Sequence, residues 1–432
     1  MGSDRRETSE QENNKQSDST NWLAVLGPGI LFASTAIGVS HLVQSTRAGA
    51  LVGFGLLWAV IAANVAKYPF FEFGSRYASA TGQSLIEGYR SLGKGAAWTY
   101  LIIASGTCFF VMGAVGIVTA AFLDNLFGAS ARLGLNATPG LAIGIFTCAT
   151  VLLMVGRYRA LDTLIKWIAG VLLLSTTVAF GAAWMNTPLQ TVPAPPPDFS
   201  PWSGAGLAFL IALMGWMPTA VDLSTWNSIW TLERIKQTGY RPSLRATLRE
   251  FNLGYVLSGV LAVMFLGMGA MILYSRGTEL PQGTASFASG VVRMYTSVIG
   301  DWSAWAIGAA AFSAMLGTCI ACLDGYARAL ARAVASLEIT VTPLLRLERI
   351  SLMGVAAGAL FLILAFPSDI RILVDIATTL SFLVAPLVAA ANWYLVSQSH
   401  FPASSRPPIW LHVLSALGML FLLGFTGLFL LQ

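Results

Sequence analysis

The chain has 432 residues, of which 56% are hydrophobic and only 10% carry a charged side chain. A soluble domain of this length needs far more charge to cover its surface, so the composition excludes a soluble protein. The net charge of +5 does not indicate a nucleic-acid partner, because the basic residues are concentrated in loops between apolar segments, where membrane topology accounts for them.

Apolar segments recur along most of the chain. Because a bilayer core requires about 20 apolar residues per helix, each segment predicts one transmembrane helix. We expect a single transmembrane domain over residues 21–432, after a polar, disordered cytoplasmic tail at residues 1–20. Residues 283–299 predict an amphipathic external lid. The eleven predicted spans are 23–45, 49–74, 97–127, 138–156, 160–186, 205–230, 251–275, 302–324, 349–366, 370–396 and 409–431.

The charges of the loops predict the orientation of the chain. When loops are assigned alternately to the two sides, one side receives most of the 25 Lys and Arg, including the run from Arg234 to Arg249. The Pro-rich loop 187–203 on the other side has no basic residue. By the positive-inside rule, the N-terminus is cytoplasmic and the C-terminus outside. We expect a protein embedded in the lipid of the cytoplasmic (inner) membrane of a bacterium.

Two spans contain residues that helices tolerate poorly. The first has Gly-Pro-Gly at 27–29 and a second weak point at 38–40, and the sixth is interrupted around Gly215 and Pro218. In hydrocarbon, the freed backbone groups must be satisfied by protein, water or a ligand. The breaks lie five helices apart, which indicates inverted repeats of helices 1–5 and 6–10 with a substrate held between the unwound segments. Ordinary kinks that relieve packing are the alternative.

Longer stretches of the sequence resemble a known family. The segments LGPGILFAS, AGALVGFGLLWAVIAANVAK and YASATGQSLIEGYR, the pair Met217–Pro218, and the stretches FASGVVRMYTSVIGDWSAWAIGAAAFSAMLGTC and DIRILVDIATTLSFLVAPLVAA are similar to the Nramp (natural resistance-associated macrophage protein) divalent-metal transporters. The resemblance covers nearly the whole chain. It implies an all-α integral membrane protein of LeuT-type fold, a 5+5 inverted repeat with broken helices 1 and 6, plus an eleventh helix.

This chain departs from the family at the positions that hold the metal. The family breaks its first helix at Asp-Pro-Gly-Asn, where this sequence has residues 38–41, Gly-Val-Ser-His, and its third-helix acids align with Met112 and Val115. In the sixth helix, Met-Pro-His-Asn becomes Met-Pro-Thr-Ala at residues 217–220. The resemblance implies metal ligation by His41 and Met217. The substrate-binding positions it implies are Gly38, Ser40, His41, Met217, Thr219 and, in place of a Gln on the tenth helix, Thr379.

The missing carboxylate changes the expected cargo. A divalent ion that leaves water is normally compensated by carboxylates or several oxygens. Imidazole and thioether suit a soft or borderline transition ion, whereas Mg²⁺ and Ca²⁺ would be bound poorly. The same uncharged site suits a neutral or zwitterionic organic solute, whose carboxylate would face the half-helix N-termini. Both substrate classes stay open.

Charged side chains at membrane depth are costly and are therefore functional candidates. Asp222 lies five residues beyond Met217 and is the best candidate to restore negative charge. Asp222, Lys67, Glu72 and Trp216 are assigned to coupling or gating, with Trp216 beside the break of the sixth span. Lys67 has two interpretations: a cytoplasmic-side ion pair that latches an inner gate, or a fixed cation that stands in for a missing co-ion.

Other charges in the spans are expected to form ion pairs. Asp375 is expected to pair with Arg371 one helical turn away. Cytoplasmic-side pairs are expected for Glu72, for Asp162 with Lys166, and for Asp324.

The sequence thus predicts a secondary-active transporter that works by alternating access. The expected cargo is a metal cation, with uptake that is electrogenic or coupled to protons through His41. A carrier of a small organic solute such as an amino acid or amine, and a membrane receptor that binds without transporting, are the alternatives. There is no P-loop, G-x-S-x-G or H-E-x-x-H sequence, so we expect neither an ATP-driven pump nor an enzyme, and no cofactor.

Overall fold

Long helices without strands make up the part of the chain that the structure describes. The computed structural model describes residues 27–155, 158–187, 191–281, 283–366 and 370–432. Within these ranges, seven helices are long and apolar enough to cross a bilayer by length and composition. Continuous helices are expected there because lipid offers no partner for an unpaired N–H or C=O group. The tail predicted at 1–20, and the side chains of Asp162 and Lys166, lie outside the described residues.

Helices lie at the positions of all eleven predicted spans, with shifted ends. The first span consists of an inner half, Pro28–Ala36, and an outer half, in which a π-helix at Ser40–Ser45 leads into Thr46–Val52. The sixth consists of Gly204–Gly215 and Leu223–Thr238. The other spans are Leu57–Thr81, Lys94–Phe127, Thr138–Val155, Tyr158–Asn186, Leu244–Met268 with a π-helical extension Gly269–Leu273 and a 3-10 turn Tyr274–Arg276, Ala304–Ser336, Leu344–Ala365, Ile370–Ser397 and Ile409–Leu430, with connecting helices Leu85–Ser91, Ala129–Leu133, Thr284–Ile299, Asp301–Ser303 and Ala403–Ser405.

Both spans are broken, but only one of the two weak points predicted in the first span interrupts its helix. Residues 37–38 interrupt the first span and residues 216–222 the sixth. The Gly-Pro-Gly at 27–29 does not break a helix: Pro28 is the first residue of the inner half. Proline is favoured at that position because its missing N–H has no intrahelical partner to lose. We call the end of the bundle where the first span begins the inner end, and the opposite end the outer end.

Glycine allows the first and seventh spans to approach backbone to backbone. A Cβ on Gly254 would overlap the carbonyl of Gly29 at the inner end. At the outer end, Gly49 lies against the carbonyl of Leu266, and Gly269 against that of Thr46. Both halves of the first span therefore lie against the seventh span without an intervening side chain.

The remaining spans pack on one another and against this pair. The third span packs along the eighth, and the eleventh packs on the second. The predicted lid is the helix Thr284–Ile299, which packs against the third span. The hydroxyls of Tyr295 and Thr176, 2.8 Å apart, join this helix to the fifth span.

Candidate transport site

The break of the sixth span lies against the outer half of the first span inside the bundle. The hydroxyl of Ser45, the last residue of the π-helix in the first span, donates to Met217 Sδ at 3.5 Å, and both residues are fully buried. Across the same break, Gly215 packs against the backbone of Thr378 in the tenth span. The opened segment of the sixth span is thus enclosed by the first and tenth spans, as expected for a site between inverted repeats.

His41 lies in the π-helix that follows the break of the first span, and its side chain faces the seventh span. Its Nε2 is 2.8 Å from the carbonyl of Ser258, and its Nδ1 is 2.7 Å from Ser40 Oγ. The Ser40 hydroxyl also contacts the carbonyl of Ala36. The two predicted metal ligands therefore have different partners. His41 is hydrogen-bonded to the seventh span, whereas Met217 contacts Ser45. Gly38 lies beside Thr318 of the eighth span, in a space too small for a side chain.

Lys67 enters the break of the sixth span from the second. Its Nζ donates to the carbonyls of Met214 at 2.6 Å, Gly215 at 2.8 Å and Thr219 at 3.3 Å. The side chain is fully buried, and the ammonium lies 5.9 Å from the centre of the Phe382 ring. The expected cytoplasmic-side ion pair is wrong for Lys67, because backbone carbonyls at the end of a broken helix serve as its acceptors.

Asp222 ends the same break, at the start of the helix Leu223–Thr238. It is 2% exposed, and its Oδ2 accepts a long hydrogen bond of 3.5 Å from Tyr326. No group among the described residues hydrogen-bonds its Oδ1. It lies close enough to Lys67 for the two charges to interact. A buried carboxylate with an unsatisfied oxygen is costly, so Asp222 is a candidate to bind a proton or cation.

The other predicted site residues separate into two groups. Trp216 is buried in the sixth break and donates from Nε1 to Ser381 of the tenth span at 2.9 Å. Thr219 is also buried there. Thr379 instead lines a cavity of about 710 Å³ towards the outer end, together with Asp375. On the tenth span, Thr378 and Ser381 are the residues that contact the break of the sixth span, at Gly215 and Trp216.

An ion pair closes the outer side of the site. Arg47 of the first span makes a bidentate pair with Asp375 of the tenth, at 2.7 and 3.1 Å. Gln44 donates to Asp375 at 3.1 Å and to Thr378 at 3.3 Å. The prediction that Asp375 pairs with Arg371 is therefore wrong. The guanidinium of Arg47 faces two outer cavities, of about 500 and about 710 Å³, so this pair separates them from the centre.

A carboxylate that the sequence analysis missed holds the inner side. Glu250 of the seventh span accepts from Gly27 N at 2.9 Å and from Gly29 N at 2.8 Å, and it is 3% exposed. These N–H groups belong to the start of the inner half of the first span, where the helix leaves its donors unpaired and its dipole favours an anion. The Gly-Pro-Gly sequence was the available signal, because a helix beginning there needs an acceptor.

Two of the expected ion pairs are present at this end. Arg76 contacts Glu72 at 2.5 Å, and Arg328 contacts Asp324 at 2.8 Å, both at i, i+4 spacing. Arg76 also donates to the carbonyl of Ser405 before the eleventh span, at 2.7 Å. Glu72 is thus part of a connection between the second span and the loop that precedes the eleventh.

Two broken helices that meet at mid-bundle, within eleven spans, define an integral membrane transporter of LeuT-type fold. The structure resembles a manganese transporter from Eremococcus coleocola, with a TM-score of 0.70 at 14% identity over 94% of this chain and 86% of that one. It also resembles Mhp1, a nucleobase-cation-symport-1 family transporter, with a TM-score of 0.60 at 14% identity over 94% and 92%.

Sequence comparison identifies the family. Residues 29–432 match the model for natural resistance-associated macrophage protein-like sequences. An uncharacterized protein of Pasteurella multocida is 32% identical, over 97% of this chain and 95% of its own length. A divalent metal cation transporter, MntH, of Chromohalobacter salexigens is 24% identical over 60% and 59%. The chain belongs to the Nramp family, which confirms the resemblance drawn from its motifs.

Proposed function

We propose that this chain is a secondary-active carrier that moves a metal cation across the cytoplasmic membrane of a bacterium by alternating access. The observation that carries the proposal is the contact of Ser45, in the outer half of the broken first span, with Met217, in the break of the sixth. This contact lies between the Arg47–Asp375 pair on the outer side and Glu250 on the inner side. The names of the manganese and divalent-metal relatives support the cargo class. The N-terminus would lie in the cytoplasm and the C-terminus outside.

Met217 supplies the ligand that we expect to be specific for the metal. Its thioether lies in the break, and thioethers bind soft or borderline ions. His41 would become a second ligand by turning one ring nitrogen away from Ser258 or Ser40. Gly38, Ser40 and Thr219 would complete the site, and Thr379 would contact cargo earlier, in the outer cavity. No group of three or more His, Cys, Asp or Glu in the described ranges is arranged to hold a metal, so these neutral ligands carry the proposal.

Protons are the proposed second cargo because His41 lies in a hydrogen-bond chain that can hold one. A neutral ring that donates from Nε2 to the Ser258 carbonyl presents an unprotonated Nδ1 to Ser40. The single hydroxyl proton of Ser40 then serves either His41 or the carbonyl of Ala36. Protonation of Nδ1 satisfies all of these groups at once. Asp222, with its unpaired oxygen, is the other proton-binding candidate, and Glu72 and Trp216 would act in gating.

Lys67 favours a second candidate function. A fixed ammonium beside the site repels a free cation, and a small organic solute with a carboxylate would be attracted instead. The second candidate is therefore the same carrier with an amino acid or a related solute as cargo.

Flux measurements in proteoliposomes test the proposal. We expect Mn²⁺-dependent flux in the native chain, and a strong loss in Met217→Ala and His41→Ala. Matched controls are Met294→Ala on the external helix and His412→Ala in the first turn of the eleventh span, which should retain flux. Equal flux in all five proteins would remove the proposed ligands. Thermal stabilisation by organic solutes alone would favour the second candidate, and a ligand without counterflow would indicate a receptor.

A further inference from the structure

The site contains a buried lysine ammonium at a cluster of backbone carbonyls that could bind a free cation. The first half of the sixth span ends at Gly215, so the carbonyls of its last turn lose the donors that a continuous helix would supply. Met214 O still accepts the N–H group of Met217 at 3.3 Å. These carbonyls form the negative end of the helix dipole. Together with the carbonyl of Thr219 in the unwound segment, they make a cup of backbone oxygens.

Lys67 fills this cup. A lysine ammonium has three donors, and three carbonyl acceptors lie 2.6, 2.8 and 3.3 Å from Nζ. The side chain reaches the cup from the middle of the second span, with no exposed surface. Burying a charge in a membrane interior is costly, so the cup, together with the nearby charge of Asp222, must compensate for it. Oxygens in this arrangement are also the ligands that hard cations use.

We propose that Lys67 is a tethered cation that occupies the carbonyl cup of the sixth span and so excludes free hard cations from the site. This rests on the proposed function and narrows it. With the three carbonyls of the cup taken by Lys67, the ligands that distinguish one metal from another are the thioether of Met217 and the nitrogens of His41. The site therefore selects a soft or borderline metal ion, and Mg²⁺ or Ca²⁺ is rejected because the oxygen ligands it needs are already in use.

Replacement of Lys67 by a neutral side chain of similar length tests this. In Lys67→Met the cup loses its charge and keeps its carbonyls, whereas Lys67→Arg keeps a cation there and serves as the matched control. Melting temperatures are measured for the full chain in detergent, purified with and without Mg²⁺, Ca²⁺ or Na⁺. We expect Lys67→Met to show a rise in melting temperature that grows with the concentration of at least one of these ions, because an ion bound only to the folded state stabilises it. The native chain and Lys67→Arg should show none.

Several outcomes would overturn the proposal. One is a Lys67→Met protein whose melting temperature is the same with and without the ions. Another is a variant that fails to fold whatever ion is supplied, because an emptied cup should be rescued by a free cation. A native chain that already responds as strongly as Lys67→Met would also contradict exclusion. The assay does not depend on Mn²⁺ flux, so a failure of the metal-transport proposal is distinguishable from a failure of this one.

Discussion

Glu250 should hold the inner half of the first span against the seventh span. Its carboxylate accepts the N–H groups of Gly27 and Gly29 and is almost completely buried. Hydrogen bonds to a charged group contribute about 1.5–3 kcal/mol each. Loss of both in Glu250→Ala should destabilise the docked position of the helix by about 3 kcal/mol, which corresponds to a roughly hundredfold shift towards the undocked position.

Cysteine labelling can measure that shift. Ala33 lies in the inner half of the first span and is 4% exposed, so a cysteine there, in a chain whose four native cysteines are replaced, reacts only when the helix undocks. A maleimide should label it much faster in Glu250→Ala than in the parent. Glu250→Gln, which keeps an acceptor oxygen but loses the charge, should be intermediate, and Glu338→Gln at the exposed end of the eighth span should have no effect. Unchanged labelling in Glu250→Ala would refute the reasoning.

Two further predictions concern a glycine contact and the outer ion pair. Gly254→Ala should lower the free energy of unfolding by about 1–3 kcal/mol because the new methyl overlaps Gly29. The check is a comparison of melting temperatures with Gly181→Ala, a control in which nothing lies within 4 Å of the added carbon. Equal melting temperatures for the two variants would contradict the prediction. Asp375→Asn should weaken the pair with Arg47 by about 1 kcal/mol, a moderate value because both side chains are partly exposed, and speed hydrogen exchange of the outer half of the first span about fivefold. Unchanged exchange would argue against an outer gate.

The sequence predicted the span order and the breaks because these depend on residue type. The length of an apolar segment determines whether it can cross a bilayer. A proline such as Pro218 is unfavourable in a helix interior whatever its surroundings. The family motif placed His41 beside the break of the first span and Met217 in the break of the sixth, because their positions relative to Gly-Pro-Gly and Met-Pro can be counted along the chain.

Partners could not be predicted in the same way. The acceptors of Lys67 are backbone carbonyls, which no residue type encodes, and they become available only because the helix stops at Gly215. Asp375 and Arg47 are far apart in sequence, so the i, i+4 rule suggested Arg371, the nearer arginine. Glu250 was overlooked because a carboxylate in a basic loop resembles an ordinary surface residue until the start of the first helix is placed against it.

The close glycine contacts between the first and seventh spans constrain how the carrier can move. Both ends of the first span rest on the same neighbour, through Gly29 and Gly254 at one end and Gly49 and Gly269 at the other. If the first and seventh spans move as one rigid body, the distance between them stays constant at both ends through a transport cycle. If the first helix bends at its middle, the spacing changes at one end and stays constant at the other. Paired distance measurements, one at each end, would therefore distinguish a rocking carrier from a hinged one.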